Sequence, residues 1–258
     1  MKLLLKYLSM HLKISLEYKL SFILSLIAQI LAMFIELFVV LSLLTKFNML
    51  KNFNYYEVIM GFSTVWCGYS FAELLGRGFD HFKKLMAKGD FDILLIRPRS
   101  VIIQVFGSDI AYQKLGKAII SLGLFIYASI HILDSFNFLK ILLLIFMLIG
   151  SFIMILSILI IGAVFCFKTI KSLEFVNIFT NGTRNIGNYP MGIYNKIVRR
   201  IFTFIIPLSL LNYYPLEYLS GRTTNILFVF MPLLVWLLFA FSIFIFNKGI
   251  RYYCSTGS

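Results

Sequence analysis

Four runs of this sequence, at about residues 21–44, 58–75, 139–166 and 225–247, stay apolar over lengths that a water-soluble fold does not need. A helix crossing a bilayer needs about 20 consecutive apolar residues. A fifth run, about 116–133, follows a more polar helical stretch holding Asp109, Lys114 and Lys117. Of the 258 residues, 60% are hydrophobic and 14% charged, against about 45–50% and about 25% in soluble domains. The bilayer is the only sensible home for that excess. The chain is read as an all-α integral membrane protein, one domain over 1–258, with length for six transmembrane helices and short connections. That leaves no room for a soluble catalytic domain. Tyr55, Tyr56, Tyr213, Tyr214, Tyr218, Tyr252 and Tyr253 fall near the expected span ends, where amphipathic aromatic rings sit at the headgroup level.

The first twenty residues follow a different rule. Lys2, Lys6, Ser9, Lys13 and Glu17 recur at helical spacing and form one polar stripe. Leu3, Leu4, Leu8, Leu12 and Leu16 cover the other sides. Such a basic amphipathic helix lies in the membrane interface, so 1–20 is expected to be an interfacial helix. It is not read as a cleavable signal, because Lys6 and Lys13 interrupt it and no small-residue cleavage site follows. The net charge of +13 comes from basic residues placed between apolar runs. Membrane topology and anionic lipid headgroups account for it, so lipids are expected partners and nucleic acid is not. Cys67, Cys166 and Cys254 are too scattered for a disulfide framework or a zinc site. The Lys-, Ile-, Phe- and Asn-rich composition points to a bacterial source and hence to the bacterial cytoplasmic membrane.

Residues 168–219 admit two arrangements. In the first, 201–219 is the fifth span, although Pro207 and Pro215 break it, and 167–200 is a cytoplasmic loop. In the second, the Asn- and Thr-rich stretch 168–189 is a polar span inside the bundle, and 190–224 is a re-entrant hairpin on the outer side. The first places 20 Lys and Arg inside and 4 outside. The second places 16 inside, 7 outside and Arg184 within the membrane. The positive-inside rule favours the first, and both put the two termini in the cytoplasm.

The loop 76–100 is where a charged segment interrupts the apolar pattern. It carries Arg77, Lys83, Lys84, Lys88, Arg97 and Arg99 with Asp80, Asp90 and Asp92. Phe79, Phe82 and Met86 fall three and four apart, so a short helix here has one apolar face. An apolar face on a cytoplasmic loop needs a partner. Gly89 suits a helix end, and Pro98 sets the boundary before the next helix.

The run Gly89-Asp90-Phe91-Asp92-Ile93-Leu94-Leu95-Ile96-Arg97-Pro98 resembles the Gly-x-(Leu/Phe)-Asp-x-x-Leu-x-Arg-Pro segment of a subfamily of type 2 ABC transporter permeases. Asn188 to Tyr194, Ile206-Pro207-Leu208-Ser209 and Tyr214-Pro215 are similar to that subfamily's Tyr-Pro, Ile-Pro and Tyr-x-Pro landmarks. The resemblance covers nearly the whole chain. Phe165-Cys166-Phe167 departs from it where a Phe-Trp-like pair is expected. The resemblance implies six spans and a cytoplasmic coupling helix between the second and third. It implies a separate ABC ATPase subunit dimer docked there, and a second permease copy or paralogue. It also favours the re-entrant arrangement. Irregular or polar backbone is tolerated at membrane depth where it faces protein or a wet cavity. On this reading Phe79, Phe82, Met86, Asp90, Asp92 and Arg97 couple the permease to the ATPase. The substrate class is a drug, an antimicrobial peptide or a lipid-like amphiphile.

Ser25, Gln29, Ala32 and Glu36 share one face of the first span. A carboxylate at that depth turns inward. Gln29, Glu36, Asn177, Asn181 and Arg184 are therefore candidates for a pathway or subunit contact, with a Glu36–Arg184 ion pair as the structural alternative. Glu73 pairs locally with Arg77. The sequence lacks the G-x-x-x-x-G-K-[ST] phosphate loop. ATP and magnesium would thus sit in the partner, and this chain is expected to hold no cofactor. A proton- or ion-coupled secondary transporter needs more acidic groups at membrane depth than Glu36 supplies. A membrane enzyme needs a catalytic cluster that His11, His81 and His131, lying apart near the interfaces, do not make.

Overall fold

The computed structural model describes residues 2–46, 53–133, 137–167 and 173–253, so Cys254 and residues 168–172 lie outside it. The structure is 84% helical, and no strand occurs among the described residues. Helix α1 (Lys2–Glu17) ends in a turn at Tyr18, and α2 (Lys19–Lys46) starts at once. Next come α3 (Tyr55–Leu75) and four short helices of the intervening loop. These are α4 (Arg77–Asp80), α5 (Phe82–Ala87), α6 (Asp90–Ile96) and α7 (Val101–Ser108). Then follow α8 (Leu115–Ile132), α9 (Phe138–Cys166) and α10 (Leu173–Gly187). The chain closes with α11 (Lys196–Phe204), α12 (Ser209–Leu219), α13 (Leu227–Phe230) and α14 (Val235–Ile250).

Among the described residues, five stretches are long and apolar enough to cross a membrane: Lys19–Leu43, Tyr55–Leu75, Tyr112–Ile132, Phe138–Cys166 and Leu227–Ile250. The central one is α3, in which every residue from Glu57 to Ser70 is buried. Its neighbours come close because small residues face each other, which is how helices associate without a hydrophobic driving force. A Cβ on Gly68 would lie 2.6 Å from the Ser151 carbonyl oxygen of α9. Ser70 meets Ser121 of antiparallel α8 with their hydroxyls 3.3 Å apart. By contrast α2 and α14 leave Phe34, Ile35, Phe38, Trp236, Leu237 and Phe244 exposed, as lipid-facing helices do.

Helix α10 runs antiparallel to α3. The Tyr69 hydroxyl donates to the Thr180 carbonyl, and Trp66 Nε1 donates to Asn188 Oδ1 at 3.0 Å. Beyond α10 the chain reaches the opposite end of α3, where Gly192 abuts Phe53. Residues 201–219 do not form one helix, so no continuous span exists there. Helix α11 stops at Phe204, the backbone is irregular over 205–208, and α12 begins at Ser209. Pro207 brings no N–H to carry a helix across that break. With 9 and 11 residues, α11 and α12 reach only about 14 and 17 Å at 1.5 Å per residue, short of a hydrocarbon core of about 30 Å. They form a hairpin at the N-terminal end of α3, where Asn212 and Leu216 pack on Gly61.

Candidate functional site

The loop joining α3 to α8 folds back onto the bundle. Left-handed Gly89, at φ 72°, makes the turn from α5 into α6, a backbone state that side chains disfavour. Asp90 and Asp92 then occupy the first turn of α6, where carboxylates offset the helix dipole. Gln104, buried on α7, donates from Nε2 to the carbonyls of Leu94 and Arg99 at 3.0 and 3.1 Å, so α7 holds the end of α6. Helix α1 braces this layer from the side: the Tyr112 hydroxyl donates to the Leu8 carbonyl at 2.9 Å.

The apolar face of the loop does not look outward. Phe79, Phe82 and Met86 are 1%, 0% and 4% exposed. Phe82 packs edge-on against Phe91, Phe167 and Phe246, at centroid separations of 5.0, 5.2 and 5.7 Å. Phe79 meets Phe246 at 5.6 Å, and Phe91 meets Tyr253 at 5.0 Å. The reading of Phe79, Phe82 and Met86 as a face offered to another subunit is corrected here. Their partner is the chain itself, through the ends of α9 and α14. The surface left open is different: Lys84, Lys88 and Asp90, then Ile93 and Ile96 at 51% and 83% exposed, then Arg97. Asp92 is partly buried and has a partner.

A set of polar contacts ties the loop to the bundle. Lys114 Nζ lies 2.6 Å from Glu73, which therefore does not pair with Arg77. Asp109 takes that arginine instead, at 3.7 Å, and accepts a hydrogen bond from His81 Nδ1 at 2.7 Å. Partial burial works to raise the Asp109 pKa. The His81 hydrogen bond and the Arg77 charge outweigh it and hold the carboxyl below its ordinary range. For Asp80 burial prevails and pushes the pKa up, with Glu73 adding to it. Asp80, Glu73, Tyr69, Thr180 and Asn181 line a small polar cavity of about 100 Å³ between α3, α9 and α10.

Deeper in the bundle lies a polar seam. Trp66 is flanked by two cations, Lys117 Nζ at 4.8 Å and the Arg184 guanidinium at 5.4 Å from the ring centroid. Each is a favourable approach to the ring face. Glu36 forms no ion pair with Arg184 among the described residues, so that alternative falls away. Its electrostatic neighbour is Lys117 across the α2–α8 contact. Gln29, two turns earlier on α2, has its buried Oε1 unpartnered. The structure thus brings Glu36 and Arg184 toward Lys117, and puts Asn181 at the polar cavity of Glu73 and Asp80. Asn177 lies on α10, but its side chain is outside the described residues. No group of three or more metal-binding side chains occurs among the described residues.

A family model described as ABC-2 family transporter protein matches residues 30–257. The chain belongs to that family. Neither the curated proteins nor the solved structures compared with it give a match. Members of the ABC-2 family are generally non-catalytic membrane subunits of ABC transporters, and this chain is one such multi-pass transmembrane subunit. Within the ABC-2 permease, the residues that sequence reasoning missed are the hidden halves of these contacts: Phe91, Phe167 and Phe246 around Phe82, and Trp66 and Lys117 beside Arg184. Phe167, the last residue of the Phe165-Cys166-Phe167 segment that departs from the subfamily pattern, is one wall of the aromatic cluster. Lys117 was legible as an apolar-helix charge, since it sits at the start of an otherwise uncharged run.

Proposed function

We propose that this permease is the membrane half of an ATP-driven exporter, moved by a separate ABC ATPase dimer that docks on the open surface of residues 84–99. One observation carries the reading. The same short helices that display Ile93, Ile96 and Arg97 bury Phe82 and Phe91 against the ends of α9 and α14. A displacement imposed on that surface passes into two long helices. ATP and magnesium belong to the partner, because the chain has no phosphate loop. Six crossings are proposed: α2, α3, α8, α9, α10 with the residues after it, and α13–α14. Residues 190–224 make the re-entrant outer hairpin, and both termini are cytoplasmic in the bacterial membrane. The exposed side of α2, with Glu36 half-buried at its edge, suits a second permease copy or paralogue. The substrate is an amphipathic or hydrophobic molecule such as a drug, an antimicrobial peptide or a lipid-like compound. Gln29, Glu36, Asn177, Asn181 and Arg184 lie on its path or at the subunit contact.

The test replaces exposed residues, so the permease itself stays intact. Ile96→Asp combined with Arg97→Ala is expected to insert normally, to lose co-purifying ATPase, and to abolish substrate-stimulated ATP turnover in vesicles. Full complex formation with full coupled transport would remove this surface as the docking site. The hairpin is checked separately. A cysteine at Lys196 should react with an impermeant reagent from outside, and labelling only after permeabilisation would put 190–224 in the cytoplasm.

A further inference from the structure

The hairpin end carries a second, unrelated arrangement. Helix α11, Lys-Ile-Val-Arg-Arg-Ile-Phe-Thr-Phe, has three basic residues and no acidic one. Its apolar side is equally open: Ile197, Phe204 and Ile205 are 68%, 83% and 63% exposed. Two hollows meet along this helix. The first, about 310 Å³, is polar and lined by Phe53, Gly192, Arg199, Tyr213, Glu217 and Arg222. The second, about 500 Å³, is apolar and runs between the hairpin and α14, past Phe204, Pro207, Tyr214, Leu234, Leu237 and Phe241. They adjoin: Arg199 in one and Thr203 in the other are one turn apart on α11, and Tyr213 and Tyr214 are consecutive on α12.

The charges in the polar hollow are unequal. Arg222 is taken by Glu57 at 2.5 Å and Glu217 at 3.5 Å. Arg199 rests on the Tyr213 ring at 4.9 Å, with no carboxylate within 4 Å among the described residues. Lys196 and Arg200 are exposed beside it. A cationic head next to a long apolar trough is the complement of an anionic amphiphile. We propose that this groove seats one anionic phospholipid from the surrounding leaflet, its phosphate on Arg199 with Lys196 and Arg200 near, and an acyl chain along Pro207, Leu237 and Phe241. A second copy of the chain is a poor occupant, because it would have to bring an acidic patch joined to an apolar ridge. The lipid also supplies the counter-charge for three cations that the proposed hairpin topology places on the outer side, against the positive-inside tendency. The inference rests on that reading only for the leaflet, not for the binding.

The experiment incorporates the purified permease into nanodiscs of equal phosphatidylglycerol and phosphatidylcholine, transfers it to detergent, and counts retained lipid by native mass spectrometry. The wild-type chain is expected to keep phosphatidylglycerol over phosphatidylcholine by about tenfold, as a site with two or three basic groups would. Arg199→Ala should bring the ratio near parity, and Arg199→Lys should keep most of it. Leu237→Trp, which fills the trough from a 70% exposed position, should lose retention of both lipids. Absence of headgroup preference in the wild type, or a preference untouched by both Arg199→Ala and Leu237→Trp, would overturn the proposal. So would a retained species that is not a phospholipid, or disulfide-linked dimers through Phe204→Cys that displace lipid. Lipid retention is read whichever side the hairpin faces, so its failure is separate from failure of the labelling at Lys196.

Discussion

The two ends of the bundle are built on opposite principles. At the loop end, six aromatic rings from the loop and the ends of α9 and α14 close on one another, and Phe79, Phe82, Phe91 and Phe246 are almost wholly buried. At the hairpin end, Arg222 bridges two carboxylates, and Phe204 and Ile205 stand open beside an apolar trough. The first end is a packed joint, suited to passing force without yielding, since close-packed interiors transmit strain. The second is held by a few directional contacts around space, suited to admitting a molecule or changing shape. Under the proposed coupling, the first would supply stiffness where the work enters and the second compliance at the far side.

The largest effect tests the packed end. Phe82→Ala removes a fully buried ring that touches three others, and truncations of this kind cost about 3–5 kcal/mol. The matching change at the other end, Phe204→Ala, acts on a ring that is 83% exposed and should stay within about 0.5 kcal/mol. Thermal unfolding in detergent, followed by proteolysis of the 76–100 loop, compares the two. Equal destabilisation by the two variants would dissolve the contrast between the ends. An undiminished midpoint for Phe82→Ala would mean that the loop is not seated as described.

Much of this organisation was written in local patterns. The apolar runs at about 21–44, 58–75, 139–166 and 225–247 reappear inside α2, α3, α9 and the α13–α14 segment, because twenty apolar residues in a row leave a helix few alternatives. The N-terminal stripe of Lys2, Lys6 and Lys13 ends where α1 ends. The loop's apolar periodicity was also legible, but its destination was not. Phe82 gives no local sign that its partners are Phe167 and Phe246, and an inward face and a docking face have the same spacing. The same limit hid the Lys117–Trp66–Arg184 arrangement, whose members come from three helices. The break at 205–208 was signalled by Pro207, yet charge counting preferred a continuous span. That rule weighs Arg199 and Arg200 by number and cannot see that their helix is too short to cross.

The next effect probes the hairpin end. Glu57 is 7% exposed, accepts from the Asn54 backbone N–H at 3.1 Å and pairs with Arg222 at 2.5 Å. Glu57→Gln preserves shape and the cap but removes the charge facing Arg222. A buried charge-assisted bond lost in this way costs about 1–3 kcal/mol, moderated here because Arg222 is a third exposed and keeps Glu217. The expected signature is local: faster hydrogen exchange across 209–223, with the 76–100 loop unchanged. Loosening of both ends together would show that the hairpin and the loop are one cooperative unit.

The smallest effect separates two carboxylates within the packed end. Asp109 has a folded pKa below the ordinary 3.8, so it stabilises the fold above that value and loses the contribution as pH falls through the folded pKa. Asp80 has a folded pKa above 3.8, so the sign reverses: its contribution is complete below 3.8 and is lost as pH rises through the folded value. At neutral pH, Asp109→Asn should therefore lower the unfolding midpoint slightly and weaken its fall in acid. Asp80→Asn should raise the midpoint at neutral pH and converge on the wild type in acid. Midpoints measured for both variants from about pH 3 to pH 7 decide the matter, because a shift of one pKa unit is about 1.4 kcal/mol only when fully expressed, and these partly solvated groups express less. Parallel curves for the two variants would mean that His81 and Arg77 do not discriminate between neighbouring acids. Opposed curves would place the loop's electrostatic asymmetry at Asp109, on the side that holds α7 and α1 against the bundle, and leave Asp80 as the strained member beside the polar cavity of Glu73 and Asn181.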